Sequence, residues 1–120
     1  MRNLKDKRII IYKKIVGKDS AGFAIESYKP IHPGKLWAYV RQLSASEYYA
    51  SMALQQKEEM FFTINWRNDI NPKEHYILYK DMLYDITRID TFEGYKDDLK
   101  VYAILYDSKP GAMEEWEAKK

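Results

Sequence analysis

The sequence contains no cysteine, so neither disulfides nor thiolate metal sites can hold this chain together. It has only two histidines, His32 and His75, and neither has a partner at ligand spacing. Both are expected to be surface or turn residues rather than metal ligands or general bases. There is no nucleophile motif, no glycine-rich phosphate loop and no H-E-x-x-H. Three pairs of adjacent acids (Glu58-Glu59, Asp97-Asp98, Glu114-Glu115) do not form an acid–base couple, because neighbours on a strand point to opposite faces. Solvated charge is the expectation for all three, and catalysis is not expected. No apolar run approaches the ~20 residues that span a bilayer, and Met1-Arg2-Asn3-Leu4-Lys5 leads into no signal-like hydrophobic core. A soluble protein without a targeting segment is expected. Glycine and proline are scarce, 5 and 4 in 120 residues, and therefore act as punctuation.

Apolar and aromatic residues are plentiful. A hydrophobic fraction of 46%, with 15% aromatic, suffices for a packed core. Net charge is +2, but its distribution is uneven. Seven basic residues and one acid precede Asp19, and the remainder is net acidic. Such asymmetry fits complementary surfaces between copies of one protein, and equally an edge strand whose lysines discourage aggregation.

Periodicity predicts strands over Arg8–Val16, Phe23–Tyr28, Lys35–Leu43, Met60–Arg67, His75–Tyr79, Leu83–Ile89 and Leu99–Tyr106. Turn chemistry at Gly17–Gly22, Pro30–Gly34, Asn68–Pro72 and Lys80–Met82 separates them. In the third strand Leu36/Ala38/Val40 alternate with Trp37/Tyr39/Arg41. In the fourth, Met60/Phe62/Ile64/Trp66 alternate with Phe61/Thr63/Asn65/Arg67. Between these two, Ser44-Ala45-Ser46-Glu47 reads as a capping box opening a helix over 44–56. Ala45, Tyr48, Tyr49, Met52 and Ala53 form its apolar stripe, while Ala50 and Leu54 add apolar surface elsewhere. The helix either roofs an open barrel end or meets a partner, and the second reading is preferred. The fold class is therefore mainly β: a small closed or partly open antiparallel barrel of six or seven strands with one inserted helix. One β-barrel domain is expected over residues 1–106, with a C-terminal tail at 107–120.

Eleven tyrosines and three tryptophans leave open a single-stranded nucleic-acid-binding barrel, with Trp37, Tyr39, Arg41 and Trp66 as the stacking platform. Core or interface packing explains the same residues and is preferred.

The order and spacing of several motifs resemble the head–tail joining (head-closure, stopper or adaptor) family of tailed bacteriophages. These motifs are the basic strand from Leu4 through Arg8-Ile9-Ile10-Ile11, the hairpin at Asp19–Gly22, and the strand Leu36-Trp37-Ala38-Tyr39-Val40. They continue with the helix start Leu43–Glu47, Phe62–Arg67 followed by Asp69-Ile70, and Tyr84-Asp85-Ile86 leading to Ile89. The match covers residues 4 to about 106. Asn65 and Trp66 stand where the family more often has Arg and Tyr.

The resemblance implies a non-enzymatic connector in the virion neck, made in the bacterial host cytoplasm from a phage or prophage. Its partners would be the portal or a portal-bound adaptor ring, tail proteins, and further copies of itself in a ring matching the portal's twelvefold symmetry. Packaged DNA would pass through the channel, and no membrane, cofactor or small-molecule substrate is implied. On this reading Trp37, Tyr39, Trp66, Tyr48, Tyr49 and Met52 form the assembly interface. The insertion Leu43–Glu59 projects toward the channel with Ser46, Ala50, Leu54 and Lys57 facing it. Arg2, Lys5, Lys7 and Arg8 form a basic docking strand.

Overall fold

The computed structural model describes residues 4–53, 58–91 and 98–110. Among them are seven strands and one helix. The strands are β1 (Lys7–Lys18), β2 (Ala24–Pro30), β3 (Leu36–Gln42), β4 (Met60–Asn65), β5 (His75–Tyr79), β6 (Met82–Thr91) and β7 (Asp98–Asp107). Helix α1 (Ala45–Ala53) lies between β3 and β4. Every predicted strand is present, with ends shifted by a residue or two. The part of the predicted helix beyond Ala53 lies outside the described residues.

All pairings are antiparallel, in the order β2-β1-β3-β4-β7-β6-β5, and β5 returns to pair with β1. The sheet thus partly closes into a barrel, with β2 outside the ring. Closure follows from the length and two-sided use of β1. Its first residues, Lys7–Ile9, pair with β3, its middle, Ile10–Lys13, pairs with β5, and Tyr12–Lys18 pair with β2.

The inward set is what alternation dictates. Ile9, Ile11, Ala38, Met60, Phe62, Ile64, Ile77, Val101 and Ala103 are buried together. Phe62 meets Tyr79 and Tyr84 edge-on, with ring centroids 6.0 and 5.8 Å away. On β6 a bulge at Thr87 breaks the alternation, so Tyr84 and Ile86 face inward and then Ile89 does.

β2 and β3 share one edge of β1, and a side chain bridges the gap between them. The Ile31 N–H donates to the Ile11 carbonyl at 3.1 Å, and the Ile11 N–H donates to Nε2 of His32 at 3.0 Å. The imidazole takes the place of a strand carbonyl. With Nε2 accepting, the proton sits on Nδ1, 3.3 Å from the Pro33 carbonyl oxygen. His75 acts similarly at the start of β5, where Nδ1 accepts the Asn71 N–H at 3.0 Å. His32 is a turn residue as expected, whereas His75 is the first residue of β5, and both are buried rather than on the surface. A neutral imidazole with a backbone donor satisfied is a tolerable core group.

Candidate assembly surface

The insertion between β3 and β4 is anchored at both ends. At its start, the Glu47 N–H donates to Ser44 Oγ at 3.3 Å and the Ser44 N–H donates to Glu47 Oε1 at 3.1 Å. This is the reciprocal capping box read from the sequence. The Arg41 guanidinium forks onto the same carboxylate at 2.9 and 3.0 Å and lies 4.8 Å from the Phe61 ring centroid. Arg41 beside it, with the Ser44 donors, holds the Glu47 carboxyl down to about 2. At the other end, Leu43 N–H donates to the Glu59 carbonyl and Glu59 N–H to the Ala103 carbonyl, both at 2.9 Å.

Glu58 completes the anchor. Glu58 is only 3% exposed, which corrects the expectation of solvated charge for this member of the Glu58-Glu59 pair, while Glu59 is exposed as expected. Arg88 donates to both of its carboxylate oxygens, at 3.1 and 3.2 Å, and Thr87 Oγ1 donates at 3.0 Å. Arg88 also pairs with Asp90 at 2.6 Å and stacks on Tyr102, 3.9 Å from its ring. The bulge aims Thr87 and Arg88 side by side at this carboxylate. A buried charge is tolerable only with such partners.

The helix held this way adds nothing to the core. None of its described side chains is buried, and Tyr49 is 68% exposed, with Met52 exposed as well. The expectation that the apolar stripe might roof the barrel is therefore corrected, because the interior is already filled by strand residues. A groove of about 290 Å³ runs between the helix and the strand ends, lined by Gln42, Leu43, Ala45, Tyr48, Tyr49 and Glu59.

The other predicted assembly residues do not form one surface with the helix. Trp37 is 53% exposed on the outer face, with the Arg8 guanidinium 4.2 Å from its ring centroid. Tyr39 is half-buried, edge-on to Phe61 at 6.3 Å. Trp66 packs on the core, and with Trp37 it lines a separate cleft of about 270 Å³. Of the residues assigned to the channel, Ser46 and Ala50 are exposed on α1, while Leu54 and Lys57 lie outside the described residues. In the basic strand, Lys5 pairs with Asp98 at 2.8 Å and Lys7 lies 3.5 Å from Asp6. Arg8 donates to the Lys35 carbonyl at 3.1 Å, and Arg2 lies outside the described residues. Much of this strand's charge is thus engaged within the chain. Among the described residues no group of three or more His, Asp or Glu could hold a metal ion.

The sequence reading missed the far end of the molecule. Phe23 is 71% exposed at the tip of the β1–β2 hairpin, with Val16 and Ile25 exposed behind it. An apolar residue directly after a polar turn, beside lysines, was the available signal.

The family model for phage head completion protein matches residues 4–104. The chain belongs to this family. Its members complete phage heads, and membership makes this chain a structural component of head assembly and of the virion. The solution structure of protein SF1141 from Shigella flexneri 2a is similar in fold, with a TM-score of 0.64 at 22% identity. That similarity covers 85% of this chain and 95% of the other. Comparison with curated proteins gives no match. No described helix is long and apolar enough to cross a membrane.

The capping geometry sets a local expectation. Ser44→Ala removes one end of the reciprocal pair, a loss of about 1 kcal/mol. Because α1 is outside the core, hydrogen exchange of its amides is expected to accelerate about fivefold. The global unfolding midpoint is expected to stay within error.

Proposed function

We propose that this head completion family member is a non-enzymatic connector that joins the portal side of the DNA-filled head to the tail and helps close the DNA channel. Copies assemble in a ring on the portal or a portal-bound adaptor, and tail proteins dock on that ring. The observation that carries this reading is the insertion itself. A helix capped at its N-terminus, in an insertion anchored to the barrel at both of its ends yet presenting Tyr49 and Met52 to solvent, has been stabilised in position without serving the core. Exposed apolar surface on a pre-positioned element is what a contact with another subunit needs. Repetition around an axis then turns modest contacts into firm attachment.

Electron microscopy of particles from cells lacking this chain tests the proposal. Filled heads separate from tails are expected, and normal tailed particles would contradict it. Supplying the chain in trans is expected to restore joining.

The nucleic-acid alternative needs Tyr39 and Arg41 free to meet bases, and both are engaged by Phe61 and Glu47. Oligonucleotide binding is therefore expected to be weak and insensitive to strand length. Tight binding with a steep salt dependence would favour that alternative.

A further inference from the structure

We propose that the hairpin arm ending in Phe23 docks into the groove between α1 and the start of β4 on a second copy of this chain. The inference rests on the connector reading and names one contact within the assembly.

The arm is built to present its tip. Beyond Lys13, β1 leaves β5 and continues with β2 alone as a two-stranded ribbon. Val16 and Ile25 lie on its two opposite faces, since Val16 stands across from Glu26 and Gly17 across from Ile25. Both are exposed, so the outer part of the arm stands clear of the barrel, while its base packs through Tyr28 edge-on to Tyr76, with ring centroids 5.4 Å apart. An isolated hairpin is marginal in water, and this one is stiffened at its turn. Asp19 Oδ1 accepts the N–H groups of Ala21 and Phe23, each at 2.9 Å. Asp19 N–H donates to the Phe23 carbonyl at 2.9 Å, and Gly22 takes the φ of +86° that closes the turn. Phe23 is thereby fixed in the open.

The groove has the matching chemistry. Leu43, Ala45, Tyr48 and Tyr49 offer an apolar and aromatic lining, and Glu59 adds a carboxylate. On the arm, Lys18 pairs across from Ala24, next to Phe23, and supplies the cation. Lys18 and Glu59 are both exposed, and neither forms an ion pair among the described residues. Phe23 would enter the aromatic groove while Lys18 meets Glu59.

Topology makes the partner another copy. β3 runs antiparallel to β1, so Gln42 and the groove lie at the end of the sheet where β1 begins. The arm leaves from the opposite end, past Lys13. One molecule's arm cannot reach its own groove. Two unlike patches at opposite ends make a head-to-tail contact, which closes into a ring when the rotation between copies permits.

The absence of native cysteine permits a clean test on the full-length chain. Ser20→Cys marks the arm and Gln42→Cys marks the groove. The two variants are mixed at about millimolar concentration, suited to a weak contact, and treated with a short bismaleimide. A cross-linked heterodimer is expected, exceeding that formed when Asn68→Cys replaces the groove mark. Adding Phe23→Ser to the arm variant is expected to lower the yield about tenfold, as loss of an aromatic anchor does. Lys18→Glu is expected to lower it too, and Glu59→Lys on the groove variant to restore it. A yield no greater than the Asn68→Cys control, or unchanged by Phe23→Ser, would overturn the contact, as would failed charge-reversal rescue. Particles lacking the chain separate the two claims: tailless filled heads would leave the connector standing even if this contact failed.

Discussion

Arg88→Ala is expected to destabilise the protein by about 3 kcal/mol, the low end for breaking a buried ion pair. Glu58 is almost wholly out of solvent, whereas the Arg88 side chain is 40% exposed, which sets the estimate at that lower end. The loss arises less from forfeited attraction than from leaving a buried carboxylate, still bonded by Thr87 Oγ1, without its guanidinium. Replacing both partners with leucine is expected to recover most of the loss, because no charge then remains to desolvate. Urea unfolding of the two single variants and the double variant measures this coupling. A loss below about 1 kcal/mol for Arg88→Ala, or simple additivity of the two single changes, would mean the pair is not an anchor. The change also bears on assembly, since Glu58 fixes the returning end of the insertion.

His32→Ala is expected to cost about 3 kcal/mol at neutral pH, by orphaning the Ile11 N–H and leaving a cavity at the β2–β3 junction. His32→Gln, which keeps an oxygen acceptor, is expected to lose less. The same geometry predicts acid sensitivity. Burial lowers the pKa of His32 and of His75 below the ordinary 6.5, with Arg67 and Asp69 acting on the first in opposite senses. Glu74 and Asp69 act against Lys13 at the second. Groups with a lowered folded pKa contribute stability that is complete above about pH 6.5. It is lost as pH falls through the folded value, because the unfolded chain then binds more protons. Asp85 has the opposite sign, its carboxyl being raised by burial, while Glu47 loses its contribution only toward pH 2. Thermal melts between pH 7.5 and 5 are expected to fall for the native chain and to fall less for His32→Gln. Equal slopes would exclude His32 as a source of the effect.

The strands were legible because alternation is a local signal, and a half-buried barrel wall enforces it residue by residue. The capping box was legible for the same reason, since its partners lie three residues apart and bond as the spacing requires. The motifs that resemble a phage joining family led to the family that the chain proves to belong to. The rest depends on long-range contacts. His32 bonds a residue 21 positions away, and Glu58 meets Arg88 across 30 positions of chain. The Thr87 bulge that aims Arg88 has no distinctive composition. Helical periodicity showed that α1 has an apolar stripe, but not which surface the stripe faces. A core filled by the strands left that stripe in solvent. Exposure of Phe23 was also hidden, because a β2 placed outside the ring reads like any other strand.

Affinity capture of the tagged full-length chain from cells producing the virion, with mass spectrometry of bound proteins, tests the connector claim most directly. Portal, capsid or tail proteins at high stoichiometry are the expected result. Recovery of DNA- or RNA-processing proteins without any virion component would contradict it and favour the nucleic-acid-binding barrel.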